Sequence, residues 1–98
     1  MHIISPKKFR DFWTVNKESQ TVLDNWIRFV KKTNWANLAE LKQDFPLADL
    51  VGRCIVFNVG GNKYRVITKV YFKQQTILIR FVLTHKDYDK DEWKKDCG

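Results

Sequence analysis

The chain has 98 residues, 44% of them hydrophobic and fourteen of them aromatic, which is too apolar for a disordered segment and the right size for a single domain spanning residues 1–98. Its two cysteines are too few for a disulfide scaffold and lack metal-ligand spacing, so no metal site and no cofactor are expected. The net charge is +7, and no stretch approaches the roughly 20 apolar residues of a membrane helix; a soluble, cytoplasmic protein that does not engage a membrane is the expectation.

The opening MHIISPKKFRDFW has no uninterrupted apolar run, so a secretory leader is not expected. His2–Ile4 reads as a short first strand. Ser5 as N-cap and Pro6 at the first helical position would start a helix whose Phe9, Phe12 and Trp13 share one face. Ser19 is the candidate cap of a second helix. There Val22, Leu23, Trp26, Ile27 and Val30 recur at steps of three and four, and Lys31 and Lys32 suit the C-terminal end of the helix dipole. NWANLAELKQDFP gives a short third helix ending near Pro46.

The period then changes. RCIVFNV, KYRVITKVYF and TILIRFVLT are β-branched and aromatic runs joined by GGN and KQQ, which predicts an antiparallel meander. Gly60 and Gly61 supply positive φ for the first of these turns. HKDYDKDEWKKDC should be a turn followed by a short or frayed helix. The fold class is therefore α+β, with the helices on one face of an antiparallel sheet. Cys54, inside an apolar run, reads as a small core residue, and Cys97 as incidental.

Charge separates the two halves. Residues 1–49 carry eight Lys/Arg and six acids, an ordinary solvated surface. From Leu50 to Lys86 there are seven cations (Arg53, Lys63, Arg65, Lys69, Lys73, Arg80 and Lys86) and no acid. Uncompensated cations in one half are what phosphate binding requires. Alternation along the last strand puts Ile77, Ile79, Phe81 and Leu83 toward the helices and Arg80 on the other side. In the strand before it, Tyr64, Val66, Val70 and Phe72 form the core row, opposite Lys63, Arg65, Ile67, Lys69 and Tyr71. Several cations of one sign thus share an uncovered sheet face.

At the edge of that face, THKDYDK concentrates proton-handling groups. His85 suits proton transfer near neutrality, Tyr88 can donate a proton or stack on a base, and Arg65 and Arg80 can each hold a phosphate through two parallel hydrogen bonds. RNA brings its own nucleophile, the 2′-hydroxyl. A protein that removes that proton, neutralises the phosphorane and protonates the leaving 5′-oxygen is a ribonuclease without a metal.

DFPLADLVGRCIVFNVGGNKYRVITKVYF and IRFVLTHKDYDK closely resemble the HigB branch of the RelE-like toxins of bacterial toxin–antitoxin systems, and MHIISPKKFRDFW resembles the start of that family. The resemblance implies a RelE-like α+β fold with a short C-terminal helix. It also implies a type II toxin that cuts messenger RNA, commonly on the translating ribosome, and a cognate HigA-like antitoxin with a helix-turn-helix domain. Arg65 and Arg80 match the strand arginines that bind the scissile phosphate, Lys63 a basic position beside them, and His85 and Tyr88 the C-terminal pair of the site. Asn62, Lys86 and Asp87 are second-tier RNA contacts; Arg53, Lys69 and Lys73 extend the basic surface. A non-catalytic RNA- or ribosome-binding module could use the same face, whereas a DNA-binding role fits poorly because no helix concentrates the cations.

Overall fold

A computed structural model describes residues 1–98. The elements run β1 (His2–Ile4), α1 (Lys7–Val15), a 3-10 turn (Lys17–Ser19), α2 (Gln20–Lys31), α3 (Leu38–Asp44), β2 (Asp49–Val51), β3 (Cys54–Val59), β4 (Tyr64–Tyr71), β5 (Thr76–Thr84), α4 (His85–Tyr88) and α5 (Lys94–Cys97). The α+β class expected from sequence is the one observed. The sheet has the order β1-β5-β4-β3-β2. Its meander is antiparallel as expected, but the sheet is mixed, because β1 pairs parallel with β5, His2 opposite Thr76. The edge strand β2, opposite Val56 to Cys54, is an addition that three residues with an alternation-poor pattern did not reveal.

Both serine caps require correction. Ser5 has φ 68°, and its carbonyl, not its hydroxyl, accepts from the Lys8 N–H at 3.2 Å. Ser19 precedes α2, but its buried hydroxyl donates backwards to the Asn16 carbonyl at 2.6 Å, because the 3-10 turn has already satisfied the local geometry. A side-chain cap is present at the start of α3. Asn37 Oδ1 accepts from the Glu40 N–H at 3.0 Å, and Glu40 Oε1 accepts from the Ala36 N–H at 2.9 Å, a reciprocal pair at the helix start.

The helices cover one face of the sheet. Phe9 from α1, Leu23, Trp26, Ile27 and Val30 from α2 and Leu41 from α3 pack on Ile55, Phe57 and Val59 of β3, Tyr64 and Val66 of β4 and Ile77 and Ile79 of β5. Phe57 is the aromatic centre, its ring centroid 5.2 Å from Trp26 and 5.1 Å from Phe45, both edge-on. Val70 and Phe72 pack at the margin of this core, as the period-2 reading required.

The other face is not uncovered. Cys54, Val56 and Ile67 form a second, smaller core with Trp93 and Cys97 from the C-terminal segment, and Phe81, Leu83 and Tyr88 pack against it. This corrects the placement of Phe81 and Leu83 on the helix side. Ile67 pairs with Phe81 but Thr68 with Ile79, so Arg80 is an extra residue in β5. A bulge of this kind puts two successive side chains on one side and inverts the alternation beyond it. Residues before the bulge keep their expected face, and those after it exchange.

Cys54 and Cys97 are joined in a disulfide, with Cα atoms 5.1 Å apart. Reading them separately, as a core filler and a bystander, missed the pair, because 43 residues of sequence separate them. No helix is long and apolar enough to cross a membrane.

Candidate active site

The turn between β3 and β4 and the start of α4 meet at one end of the sheet. Gly60 and Gly61, at φ 67° and 68°, carry the chain round so that Tyr64 pairs with Val59, and on its other side Tyr64 pairs with Thr84 of β5. The Thr84 hydroxyl then caps α4 by accepting from the Asp87 N–H at 3.2 Å. The His85 N–H donates to the Lys63 carbonyl at 2.9 Å, joining the two segments.

Arg65 lies in the middle of this junction and is only 7% exposed. Its guanidinium donates to the Asn62 carbonyl at 3.2 Å, to Asn62 Oδ1 at 3.1 Å and to the Tyr64 carbonyl at 3.2 Å, and it stands 5.0 Å from the centroid of the Tyr88 ring. An arginine has five N–H donors, so two remain for a ligand. The cost of burying a cation is met here by three carbonyl-type acceptors and an aromatic face. Arg65, Tyr88, Asn58, Asp49 and Lys42 line a cleft of about 400 Å³.

His85 is half exposed, with Nδ1 3.0 Å from Asp89 Oδ2. That contact occupies one ring nitrogen and leaves Nε2 for exchange with a substrate. Lys63, Lys86 and Asn62 are exposed around it. Asp87 contacts Lys90 at 3.4 Å and lines two grooves, one shared with Trp93 and one with Lys8 and Arg80. Lys63, Arg65, His85, Lys86 and Tyr88 thus gather at one end of the sheet from segments twenty residues apart.

Arg80 stands elsewhere. Arg65 is level with Leu83, so Arg80 is three residues along the strand, about 10 Å at the usual rise. It lines a different cleft, of about 400 Å³, with Lys8, Asp11, Phe81 and Asp87. Its Nε and Nη2 donate to Asp96 Oδ2 and Oδ1 at 2.6 and 2.7 Å, and Lys69 Nζ lies 3.7 Å from the same carboxylate. Part of the acid-free basic face is therefore compensated by an acid from beyond it. Lys73 lies past the far end of β4, and Arg53 sits beside the chain terminus, 4.0 Å from where a Cβ on Gly98 would be. Neither joins the cluster around His85.

Asp89, Trp93 and Asp96 were not legible as members of the site. Trp93 is 3% exposed, stacks on Tyr88 at 5.0 Å and 13°, and donates through Nε1 to the Tyr88 carbonyl at 3.0 Å. Asp89, four residues after His85 at helical spacing, is the one a sequence signal could have found.

The Asp96 carboxyl is held below its ordinary 3.8, chiefly by the hydrogen bonds from Arg80, with the charges of Arg80 and Lys69 adding and burial opposing. A carboxylate with a depressed folded-state pKa stabilises the fold above the ordinary carboxylate range. That contribution is lost as pH falls through the depressed value. A carbon-detected titration of Asp96 should find a midpoint under 3.8 that returns toward 3.8 in Arg80→Ala. A wild-type midpoint at or above 3.8 would mean the pair does not form in solution.

The family HigB_toxin, described as the RelE-like toxic component of a toxin-antitoxin system, matches residues 19–91. The chain is 36% identical over 92 residues to the mRNA interferase toxin HigB of Escherichia coli (strain K12), covering 91% of this chain and 88% of that protein. The mRNA interferase HigB of Shigella flexneri matches to the same extent. That of Escherichia coli O6:H1 is 29% identical over 93 residues, covering 92% and 90%.

Proposed function

The chain belongs to the HigB family of RelE-like toxins, the toxic components of toxin–antitoxin systems, and from that premise we propose that it is an endoribonuclease that cuts messenger RNA by attack of the 2′-hydroxyl on the adjacent phosphate. The observation that carries this reading is the convergence of Lys63, Arg65, His85 and Tyr88 at one end of the sheet, tied by the bond from the His85 N–H to the Lys63 carbonyl.

Each group has a task in that reaction. Arg65, with two donors left, neutralises the phosphorane as charge builds on its non-bridging oxygens, where preformed donors contribute most. His85, with Nδ1 directed at Asp89, exchanges a proton through Nε2, as base toward the 2′-hydroxyl or as acid toward the leaving 5′-oxygen. Lys63 and Lys86 hold the flanking phosphates and Asn62 fixes the guanidinium of Arg65. Tyr88, its ring held between Arg65 and Trp93, offers its hydroxyl for proton transfer. Arg80, about 10 Å along the sheet, takes a neighbouring phosphate of the strand, with Lys69 beside it. The products are a 2′,3′-cyclic phosphate and a 5′-hydroxyl, and no step needs a cofactor.

The substrate is messenger RNA, engaged on the translating ribosome in the cytoplasm, and the neutralising partner is a HigA-like antitoxin with a helix-turn-helix domain. Expression of the chain alone should arrest growth and deplete transcripts, and co-expression of the neighbouring antitoxin gene should restore both. The purified protein should leave 2′,3′-cyclic phosphate ends. Growth at high soluble expression with intact transcripts would refute the toxin reading; growth arrest with uncut RNA would leave a non-catalytic RNA- or ribosome-binding module.

A further inference from the structure

Resting on the phosphate-binding role given to Arg80 above, we propose that α5 is a latch: while Cys54 and Cys97 are joined, Asp96 occupies the edge of Arg80 that an RNA phosphate would take, and reduction of the disulfide frees it. The Nε and Nη2 of an arginine form the fork that grips either a carboxylate or a phosphate through two parallel hydrogen bonds, so the two ligands exclude each other on that edge. In Arg80 both of these nitrogens are committed to Asp96. Arg65, by contrast, is bonded only to neutral oxygens of its own turn, and no carboxylate competes for it.

What keeps Asp96 there is not α5 itself. A helix of four residues is one turn, far below the length at which a helix stands alone. Its position is imposed at its ends. Trp93 anchors the start by stacking on Tyr88. Cys97 anchors the end through the bond to Cys54 at the start of β3 and through its carbonyl, which accepts from the Arg53 N–H at 2.7 Å. Gly52, at φ 57°, permits that approach, because a Cβ there would collide with the Cys97 carbonyl oxygen. Asp96 is the residue next to the covalent anchor. Lys94 and Lys95 are exposed and add no buried contact. A tethered carboxylate competes at the effective concentration its tether sets, millimolar for a short flexible link and higher for a fixed one. Opening the disulfide converts the fixed link into a flexible end of five residues beyond Trp93.

A dithiol reductant opens the latch by exchange. Its thiolate attacks one sulfur of the pair to form a mixed disulfide and release one cysteine, and its second thiol then displaces the other. Two electrons pass to the pair, both cysteines end as thiols, and the dithiol leaves as its own disulfide. Trp93 stays packed on Tyr88, so the cluster around His85 keeps its shape while Arg80 gains a free fork.

The test measures binding of a 2′-O-methyl RNA oligonucleotide, which cannot be cut, to the full chain before and after dithiothreitol, with free thiols counted in each state. Reduction of the wild type should tighten binding by about tenfold or more. Asp96→Asn should bind at the tight level in both states, and Cys97→Ser should match the reduced wild type. Equal affinity of the oxidised and reduced wild type overturns the latch, as does a full redox response in Asp96→Asn or failure of the thiols to pair in air. Asp96→Asn binding more weakly than wild type overturns it in favour of Asp96 as a support that aims Arg80. Asp96→Asn leaves the disulfide and the second core intact, so the result stands even where Cys97→Ser fails to fold. Cleavage of unmodified mRNA is followed in parallel. Redox-dependent binding without cleavage in any form would remove the nuclease reading and keep the latch.

Discussion

His85→Gln is expected to lower the single-turnover rate of RNA cleavage by roughly 10²- to 10⁴-fold, the usual contribution of a positioned general acid or base. Glutamine keeps a polar side chain of similar reach but cannot exchange a proton at neutral pH. Affinity for RNA should fall far less, because most of it comes from lysine and arginine charge. The fold should be untouched, since the ring is half exposed and its one contact is with the exposed Asp89. Asp89→Asn separates the ring's orientation from its chemistry: a smaller loss there, with the pH profile shifted, fits a positioning carboxylate. Should His85→Gln cut at the wild-type rate while Lys63→Ala or Lys86→Ala abolishes cutting, the proton is moved by lysine and the histidine is a bystander. Tyr88→Phe completes the set, because it removes the hydroxyl while leaving the ring against Arg65 and Trp93.

The second large effect is on stability. Phe57→Ala should reduce the free energy of unfolding by about 3–5 kcal/mol, the range for deleting a fully buried aromatic side chain. Phe57 has no exposed surface and meets the rings of Trp26, Trp35 and Phe45. Those neighbours come from α2 and the segments flanking α3, so collapse around the lost ring would require several elements to move together. Against a total of roughly 5–15 kcal/mol for a domain, the variant would be marginal at growth temperature. Urea unfolding with an unchanged slope and a much lower midpoint is the expected record; a loss under about 1 kcal/mol would show that this cluster does not hold the helices on the sheet.

These two residues also mark where sequence was informative. Phe57 lies in RCIVFNV, a β-branched and aromatic run that reads as a strand, and the structure puts it under the helices with Ile55 and Val59. The His85 cluster could be read because its members are close in sequence or joined by one short hairpin. Alternation failed at Arg80. Nothing in TILIRFVLT contains a glycine or a turn residue to announce a bulge, yet one extra residue there reverses the faces of Phe81 and Leu83. The bulge follows from partners far along the chain, Asp96 for the guanidinium and Trp93 and Cys97 for the apolar side chains. The same distance hid the disulfide: two cysteines, each unremarkable alone, become a pair only once β3 and α5 are adjacent. Ser5 and Ser19 failed as caps for a local reason, since a left-handed residue in one case and a 3-10 turn in the other had already redirected the backbone.

The parallel pairing of β1 with β5 has a consequence for the order of events when the protein is made. His2 finds its partner Thr76 only after more than seventy further residues have left the ribosome. At about 5–20 residues per second this is a delay of several seconds. Over that interval the first strand has no partner, and the edge of β5 that will receive it does not exist. The meander of β3, β4 and β5 forms from neighbours in sequence, whereas closing β1 onto it requires the most distant contact in the sheet, and such contacts form slowly. His85 and Tyr88 follow directly after β5, so these two emerge together with the strand that completes the sheet, some twenty residues after Arg65. A nascent chain therefore has neither its closed sheet nor the His85 and Tyr88 half of its cluster until β5 and α4 are in place.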